Sequence, residues 1–246
     1  MITEERGVRY LHIGGGAIQS AMRLSAPDAL ELHYTRAMMS FLLFQPDPRA
    51  VLMVGLGGGS MAKFLYRRFP AAKLVAVELD PRVAQAAWEQ FGLPPADERL
   101  EVVIDDGARY LAGRDGVCDV LLLDAFDDGD QVPSLTTPEF YARAHDALQP
   151  GGVLAANFMT GDRKFEVHLE HIREAFGARV LTLPALDRIN TIVLGLRDGP
   201  ARVAIDALKA RAQALKDALD LPLDRLFASL VENNDRTAQY LRTVAK

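Results

Sequence analysis

The stretch Val51-Leu-Met-Val-Gly-Leu-Gly-Gly-Gly-Ser60 decides how the rest of this chain can fold. Its first four residues are apolar and predict a buried β-strand, and a helix is predicted over residues 61–69. The turn between them contains glycines that let the backbone bend tightly and approach a ligand closely, namely Gly55, Gly57, Gly58 and Gly59. A glycine turn between a strand and the start of a helix is typical of a nucleotide-binding site.

An acidic residue farther along the chain strengthens this interpretation. Glu78 follows the glycine turn by about 20 residues and ends the next apolar run, Leu74-Val-Ala-Val-Glu-Leu79. A carboxylate at that spacing can accept hydrogen bonds from both ribose hydroxyls. The sequence therefore predicts a site for an adenosine-containing cofactor. A nicotinamide cofactor fits less well, because it gives no joint role to two later aspartates, Asp106 and Asp124.

Composition narrows the classes of protein that the chain can form. With 246 residues, of which 49% are hydrophobic, it suits one large α/β domain with a small appendage. The net charge of -5 argues against broad nucleic-acid or membrane-surface binding, although a local basic patch is still possible. The one cysteine, Cys118, excludes an intrachain disulfide and suits a small apolar position. Because no signal peptide or bilayer-spanning run is evident, a cytoplasmic protein is expected.

The order of the predicted elements defines the fold class. Residues 1–33 are expected to form a small β-element, with strands over 8–13 and 17–24, a turn at Gly14–Gly16, and residues 29–34 as a further pairing segment. A helix over 34–44 leads to a strand–helix alternation with strands near residues 51–54, 74–79, 100–104, 119–123, 153–157, 179–183 and 191–196, and then to a helical tail. We therefore predict an α/β, Rossmann-like, seven-stranded, mostly parallel sheet with helices on both faces, formed by residues 34–246, plus the N-terminal β-hairpin element.

Acidic residues follow several of the predicted strands at their carboxyl ends, where open α/β sheets bind ligands. They are Glu78, Asp106, Asp124 and Asp127, with the glycine turn at the same edge. Any of these aspartates, and Asp105 in particular, can instead be a helix cap. Asp124 follows Val-Leu-Leu-Leu directly, so a partly desolvated carboxylate that needs a partner or a function is expected there.

Several segments together resemble the polyamine aminopropyltransferases, the spermidine synthase family, which share the fold of the S-adenosylmethionine-dependent methyltransferases. The resemblance covers roughly residues 8–196. Besides the glycine turn and residues 124–127, it rests on Gly15-Gly-Ala-Ile-Gln-Ser20, His33-Tyr-Thr-Arg-Ala-Met38, Val77-Glu-Leu-Asp80, Asp105-Asp-Gly107, Thr136-Thr-Pro-Glu-Phe-Tyr141 and Leu148-Gln-Pro-Gly-Gly152.

The resemblance implies a role for individual residues. Asp124 would orient and deprotonate an attacking amine, and Tyr34 and Asp127 would bind the acceptor, a small amine or polyamine. Decarboxylated S-adenosylmethionine, or S-adenosylmethionine itself, would be bound by Gln19 at its methionine-derived part, Glu78 at the ribose, Asp106 at the adenine amino group, and the backbone at Gly55, Gly57, Gly59 and Gly107. No metal is required by this chemistry, and a homodimer is implied.

The sequence departs from the family pattern at three places. Gly58 stands where spermidine synthases have an aspartate that holds the aminopropyl amine, and Thr35 stands where they have a glutamine. Their Asp-Ser-Ser-Asp-Pro segment is Asp124-Ala-Phe-Asp127-Asp128 here. Two alternatives to an aminopropyltransferase therefore stay open: an S-adenosylmethionine-dependent methyltransferase, favoured by Gly58, and a non-catalytic cofactor-binding relative. We also expect the acidic loop around Asp127 to be a gate over the acceptor site.

Overall fold

The computed structural model describes residues 1–12, 18–127, 130–177 and 179–243. Its strands are β1 (Ile2–Glu5), β2 (Val8–His12), β3 (Ile18–Arg23), β4 (Ala50–Val54), β5 (Lys73–Glu78), β6 (Leu100–Ile104), β7 (Cys118–Leu123), β8 (Phe126–Asp127), β9 (Asp130–Gln131), β10 (Leu148–Met159), β11 (Val180–Pro184), β12 (Asn190–Leu196), β13 (Arg202–Ala204) and β14 (Tyr240–Arg242). Its α-helices are α1 (His33–Met38), α2 (Ser60–Arg68), α3 (Pro81–Phe91), α4 (Gly107–Leu111), α5 (Pro138–Ala147), α6 (Phe165–Phe176), α7 (Ile205–Leu219) and α8 (Leu223–Glu232). Short 3₁₀ segments cover Met39–Leu43 and Pro133–Leu135.

The central sheet has seven strands in the order β11-β12-β10-β7-β4-β5-β6. The five strands from β10 to β6 are parallel, β12 is antiparallel to β10, and β11 is antiparallel to β12. Val54 pairs with both Val77 and Leu123, so the turns that follow β4, β5 and β7 emerge together at one edge. The predicted fold class, a mostly parallel Rossmann-like sheet with a small N-terminal β-element, is confirmed.

Both faces of this sheet are buried under helices. Along β4 the side chains alternate, with Val51 and Met53 in one apolar cluster and Leu52 and Val54 in another. The first cluster includes side chains of α1, α2, α3, α7 and α8, and the second includes those of α4, α5 and α6. Successive side chains of a β-strand point to opposite faces of the sheet. Because both faces are buried here, a central strand such as β4 is expected to be apolar throughout.

The N-terminal element differs from the prediction in its third strand. Residues 29–34 do not pair with β3; instead β1 pairs with β2, which pairs with β3, and α1 begins at His33. The Arg36 guanidinium donates to the carbonyl oxygens of Leu30 and Glu31, at 2.6 and 3.1 Å, so a side chain takes the place of a strand partner. The predicted turn at Gly14–Gly16 lies outside the described residues.

Smaller features complete the fold. The Thr137 hydroxyl caps α5 by accepting a hydrogen bond from the Phe140 amide. The short helix α4 was not predicted, and the tail contains the antiparallel pair β13–β14 beside its helices. Within the described part of the chain, no helix is both long enough and apolar enough to span a bilayer.

Candidate active site

A cavity of about 250 Å³ opens at the carboxyl edge of the parallel strands. Its walls come from the turns that follow β4, β5, β6 and β7, together with β3, α1 and the 3₁₀ segment Pro133–Leu135. This is the edge at which open α/β sheets bind ligands, because the helix N-termini and the turns converge there. The topology therefore brings the sequence-predicted acidic residues and the glycine turn into one place.

The glycine turn forms the floor of the cavity because its backbone passes very close to neighbouring chain. Gly55 has a φ of +97°, and a Cβ atom there would collide with the backbone carbonyl of Asp124. Gly57, with a φ of +54°, lines the cavity beside the backbone of Gln19. Gly59 has a φ of +71° but is not among the described residues that line the cavity. A Cβ atom at Gly59 would lie 2.8 Å from the Leu93 side chain. Its predicted contact with the cofactor stays a prediction.

Glu78 is held in the cavity wall by backbone donors. Its two carboxylate oxygens accept hydrogen bonds from the amides of Leu56 and Asp80, each at 3.0 Å. These contacts fix the carboxylate between the glycine turn and the start of α3. Each oxygen has a second lone pair for a further donor, so the group can still accept hydrogen bonds from a ligand.

The two aspartates after β6 have different partners. Asp106 caps α4, with Oδ1 accepting from the Arg109 amide at 2.9 Å, whereas Asp105 pairs with the Arg109 guanidinium. Asp106 is thus the helix cap, although the sequence analysis singled out Asp105 for that role. Both line the cavity. Gly107 allows α4 to pack against β4, because a Cβ atom there would collide with Val54.

Asp124 directly follows β7 and contacts β10 through Asn157 and α1 through Tyr34. Its Oδ1 accepts a hydrogen bond from Asn157 Nδ2 at 2.9 Å, and its carboxylate also interacts with the Tyr34 hydroxyl. Burial raises the pKa of Asp124 from 3.8 to about 6, and the hydrogen bonds from Asn157 and Tyr34 partly oppose that rise. A carboxylate with this pKa is ionised at neutral pH yet basic enough to accept a proton.

Tyr34 connects this carboxylate to the N-terminal element. Its one hydroxyl proton can be donated to the Asp124 carboxylate or to the backbone carbonyl of Gln19, 3.2 Å away, and burial beside Asp124 raises the pKa of Tyr34 well above the usual value. The Tyr34 hydroxyl is therefore neutral and a hydrogen-bond donor. Next to Gln19, the Ser20 and Ser60 hydroxyls are 3.1 Å apart in the cavity wall.

Sequence reasoning missed Asn157, which donates a hydrogen bond to Asp124, and Asn190, which donates one to Asn157. On β10, Asn157 follows Val153 and Ala155 as the next alternate residue, so it lies on the same face of the sheet as these two apolar side chains. Its Oδ1 accepts a hydrogen bond from Asn190 Nδ2 at 3.0 Å. Only 2% of the surface of Asn157 and 6% of that of Asn190 is exposed. The argument applied to the aspartates would have found Asn157, because it is a polar residue at the carboxyl end of an apolar strand.

A further sequence-based interpretation concerns the acidic loop that follows β7, with Asp127, Asp128 and Asp130. Asp128 lies outside the described residues, and for Asp127 and Asp130 the backbone alone is described, so the acceptor role of Asp127 and the gate stay predictions. The ring nitrogen Nδ1 of His171 donates to the Thr136 carbonyl oxygen at 2.9 Å, and His168 stacks on Phe158. No cluster of three or more metal-ligating side chains occurs among the residues that the structure describes.

Residues 31–176, more than half of the chain, match the family model described as "Spermine/spermidine synthase domain". The chain belongs to the spermine/spermidine synthase family. The family resemblance predicted from the sequence is confirmed, and membership makes the protein a transferase, as predicted. A polyamine aminopropyltransferase of Chromobacterium violaceum is 38% identical over 240 residues, which cover 98% of this chain and 92% of the relative.

Solved structures place this spermine/spermidine synthase family member in the same fold group as methyltransferases. A probable spermidine synthase from Corynebacterium glutamicum superposes with a TM-score of 0.74 at 22% identity, covering 96% of this chain and 93% of that one. Human methyltransferase-like protein 13, solved in complex with SAH, superposes with a TM-score of 0.69 at 28% identity, covering 78% of this chain and 94% of that one.

Proposed function

We propose that this transferase moves the aminopropyl group of decarboxylated S-adenosylmethionine to an amine of a small polyamine-type acceptor. The observation that carries the proposal is Asp124, a carboxylate in the cavity with a pKa raised to about 6 and with its orientation fixed by Asn157 and Tyr34. The curated relatives that are named polyamine aminopropyltransferases support the same reaction.

The donor would occupy the part of the cavity between the glycine turn and α4. Glu78, already oriented by two backbone amides, would accept hydrogen bonds from the ribose hydroxyls. Asp106 would accept a hydrogen bond from the adenine amino group, and Leu79 and Leu135 would supply apolar surface for the adenine ring. Gln19, beside Gly57, would contact the donor's three-carbon tail. The glycines let the backbone and its amides approach the donor closely, and no metal ion would take part in this binding.

Asp124 would act as the general base toward the acceptor. An aliphatic amine is protonated at neutral pH, and its nitrogen cannot attack until a proton is removed. Asp124 would accept that proton while the nitrogen forms a bond to the sulfonium-bound methylene carbon. The carbon–sulfur bond breaks, and its electron pair stays on sulfur to give methylthioadenosine. Positioning by Asp124, Tyr34 and Asp127 would supply the remainder of the rate enhancement.

Methyl transfer from intact S-adenosylmethionine is the second candidate function, and the surroundings of Gly58 favour it. A Cβ atom at Gly58 would lie 2.8 Å from Ser20 Oγ and 2.9 Å from the Phe91 ring, so the structure has no room for a carboxylate side chain there. A donor tail that carries its own carboxylate would therefore meet the hydroxyls of Ser20 and Ser60 rather than a negative charge. The relative solved with SAH supports a methyl donor.

Calorimetric titration of the full chain with decarboxylated S-adenosylmethionine, S-adenosylmethionine and methylthioadenosine tests these alternatives. Tighter binding of the decarboxylated donor, followed by aminopropyl transfer to a polyamine in a product assay, is expected. Preference for S-adenosylmethionine would favour methyl transfer instead. Binding of none of the three would contradict the assignment of the cavity as an adenosine site.

Substituting the base separates an enzyme from a non-catalytic binding protein. Asp124→Asn is expected to lower kcat by about 10²–10⁴-fold, the usual contribution of a general base, while methylthioadenosine affinity is retained. A wild-type protein that binds donor but transfers no group to any amine tested would support the non-catalytic alternative. The homodimer, the cytoplasmic location and the absence of nucleic-acid and membrane partners rest on the sequence alone and stay predictions, the first of them measurable by sedimentation.

A further inference from the structure

Two buried asparagines continue apolar rows of the sheet up to the reaction centre. On β10 the row is Val153, Ala155 and Asn157, and on β12 it is Leu194, Ile192 and Asn190. Antiparallel pairing places Asn157 opposite Ile192 and Met159 opposite Asn190, so the two asparagines are diagonal neighbours on one face. Buried amides at the ends of apolar rows are costly unless their hydrogen-bonding groups are matched.

The hydrogen bonds between them run in one direction. Asn190 Nδ2 donates to Asn157 Oδ1 at 3.0 Å, and Asn157 Nδ2 donates to Asp124 Oδ1 at 2.9 Å. The Asn190 amide also contacts Met159 Sδ at 3.5 Å. Because the carboxamide of asparagine has a donor end and an acceptor end, holding its oxygen on Asn190 turns its NH₂ group toward Asp124.

From this arrangement we propose that Asn190 is a positioning residue that acts on Asp124 through Asn157. The inference rests on the proposed function, in which Asp124 is the base. Without the donor from Asn190, the Asn157 carboxamide loses a hydrogen bond that opposes rotation of its oxygen toward the carboxylate. That orientation suits a protonated Asp124 and opposes the ionised form, which the reaction requires. Asn190 thus keeps the base ionised and correctly oriented without touching the substrate.

Few other groups near Asp124 can change the ionisation of its carboxylate. Tyr34, from α1, is the titratable side chain that contacts Asp124 in the described part of the chain. The backbone of Gly55 packs against Asp124 from the glycine turn, and Ala125 follows it in sequence. The remaining carboxylates of the cavity, Glu78, Asp80, Asp105 and Asp106, follow β5 and β6. Substitution of Asn190 leaves all of them unchanged.

The test measures the titration midpoint of the Asp124 carboxyl group by carbon NMR of aspartate-labelled full-length protein, with Asp124→Asn assigning the resonance. Asn190→Leu is expected to raise that midpoint by about one unit, the value of one hydrogen bond to a charged group, and to move the acidic limb of the kcat/KM profile equally. Thr191→Val, which removes a polar group from the next position of β12, is the matched control and should change neither quantity.

A double-mutant cycle decides whether the effect passes through Asn157. In the Asn157→Leu background, Asn190→Leu should add nothing to the midpoint. An equal effect of Asn190→Leu in both backgrounds, or no effect in either, would overturn the proposal. If Asn190→Leu does not fold, Asn190→Ala, which removes the carboxamide without adding apolar volume, takes its place under the same criteria. Because the NMR midpoint needs no turnover, an inactive protein would contradict the proposed function and still leave Asn190 testable.

Discussion

Replacing Asp124 with asparagine should stabilise the folded protein while strongly lowering its activity. Burial raises the pKa of Asp124 from 3.8 to about 6. One pKa unit corresponds to about 1.4 kcal/mol, so keeping this carboxylate ionised in the folded state costs about 3 kcal/mol at neutral pH. Asparagine has nearly the same shape and carries no charge. Its oxygen can still accept the hydrogen bond from Asn157, so Asp124→Asn should recover about 1–3 kcal/mol.

The effect must depend on pH in a defined direction. A raised pKa means that the folded state binds the proton more tightly than the unfolded state does. The stability that Asp124 contributes is therefore fully present below pH 3.8 and is lost as the pH rises through about 6. The free energy of unfolding of Asp124→Asn should therefore exceed that of wild type most clearly above that pH. The difference between the two proteins should shrink as the pH falls toward 4.

Urea unfolding followed by circular dichroism, at several pH values between 4 and 8, measures this difference. Asp97, in the turn before β6, provides a contrasting control because its carboxylate accepts hydrogen bonds from the Tyr66 hydroxyl and from the amides of Arg99 and Leu100, which lower its pKa. Asp97→Asn removes a charged acceptor from these donors and should destabilise the fold at neutral pH. A destabilised Asp124→Asn, or a stability difference that does not change with pH, would refute the argument.

Three other substitutions test separate parts of the site and its support. Tyr34→Phe removes a hydrogen bond to the Asp124 carboxylate, so the acidic limb of the kcat/KM profile should move to higher pH; an unchanged limb would contradict the contact. Glu78→Gln should weaken methylthioadenosine binding by about tenfold in calorimetry, since it removes a charged acceptor from the ribose, and equal affinity would argue against that role. Lys63 is buried and donates to the carbonyls of Pro27 and Phe91, and burial lowers its pKa from 10.5 to about 8. Wild type should therefore gain stability relative to Lys63→Met as the pH rises from 8 to 10.5 in urea unfolding, and a constant difference would exclude this.

Local sequence patterns were sufficient for the central sheet and for part of the site. The apolar run before Gly55 and the apolar strands before Glu78 and Asp124 are buried on both faces, so their sequences have no amphipathic alternation and their ends are marked by glycine or acid. The carboxyl ends of parallel strands necessarily meet at one edge. For that reason the sequence alone predicts that Glu78, Asp106 and Asp124 line one cavity.

The first strand shows where local patterns were insufficient. β1 is short and all four of its residues are exposed, and its pairing with β2 depends on a two-residue turn in which Arg6 has a φ of 51° and Gly7 a φ of 76°. Left-handed conformations at both turn positions suit a tight hairpin, but Arg-Gly is a weak sequence pattern for one. Residues 29–34 have a more strand-like composition, yet their carbonyl groups bind the Arg36 side chain.

The sequence by itself determined the order of the strands in the chain, the glycine turn and the set of acidic residues at the sheet edge, because each depends on neighbouring residues. Only the tertiary structure decided the surroundings of Asp124. Tyr34 and Asn157 are separated from it by long stretches of chain, and Asn190 reaches it through an antiparallel register between β10 and β12. Burial by these distant segments raises the pKa of Asp124, and no local pattern encodes which segments will meet.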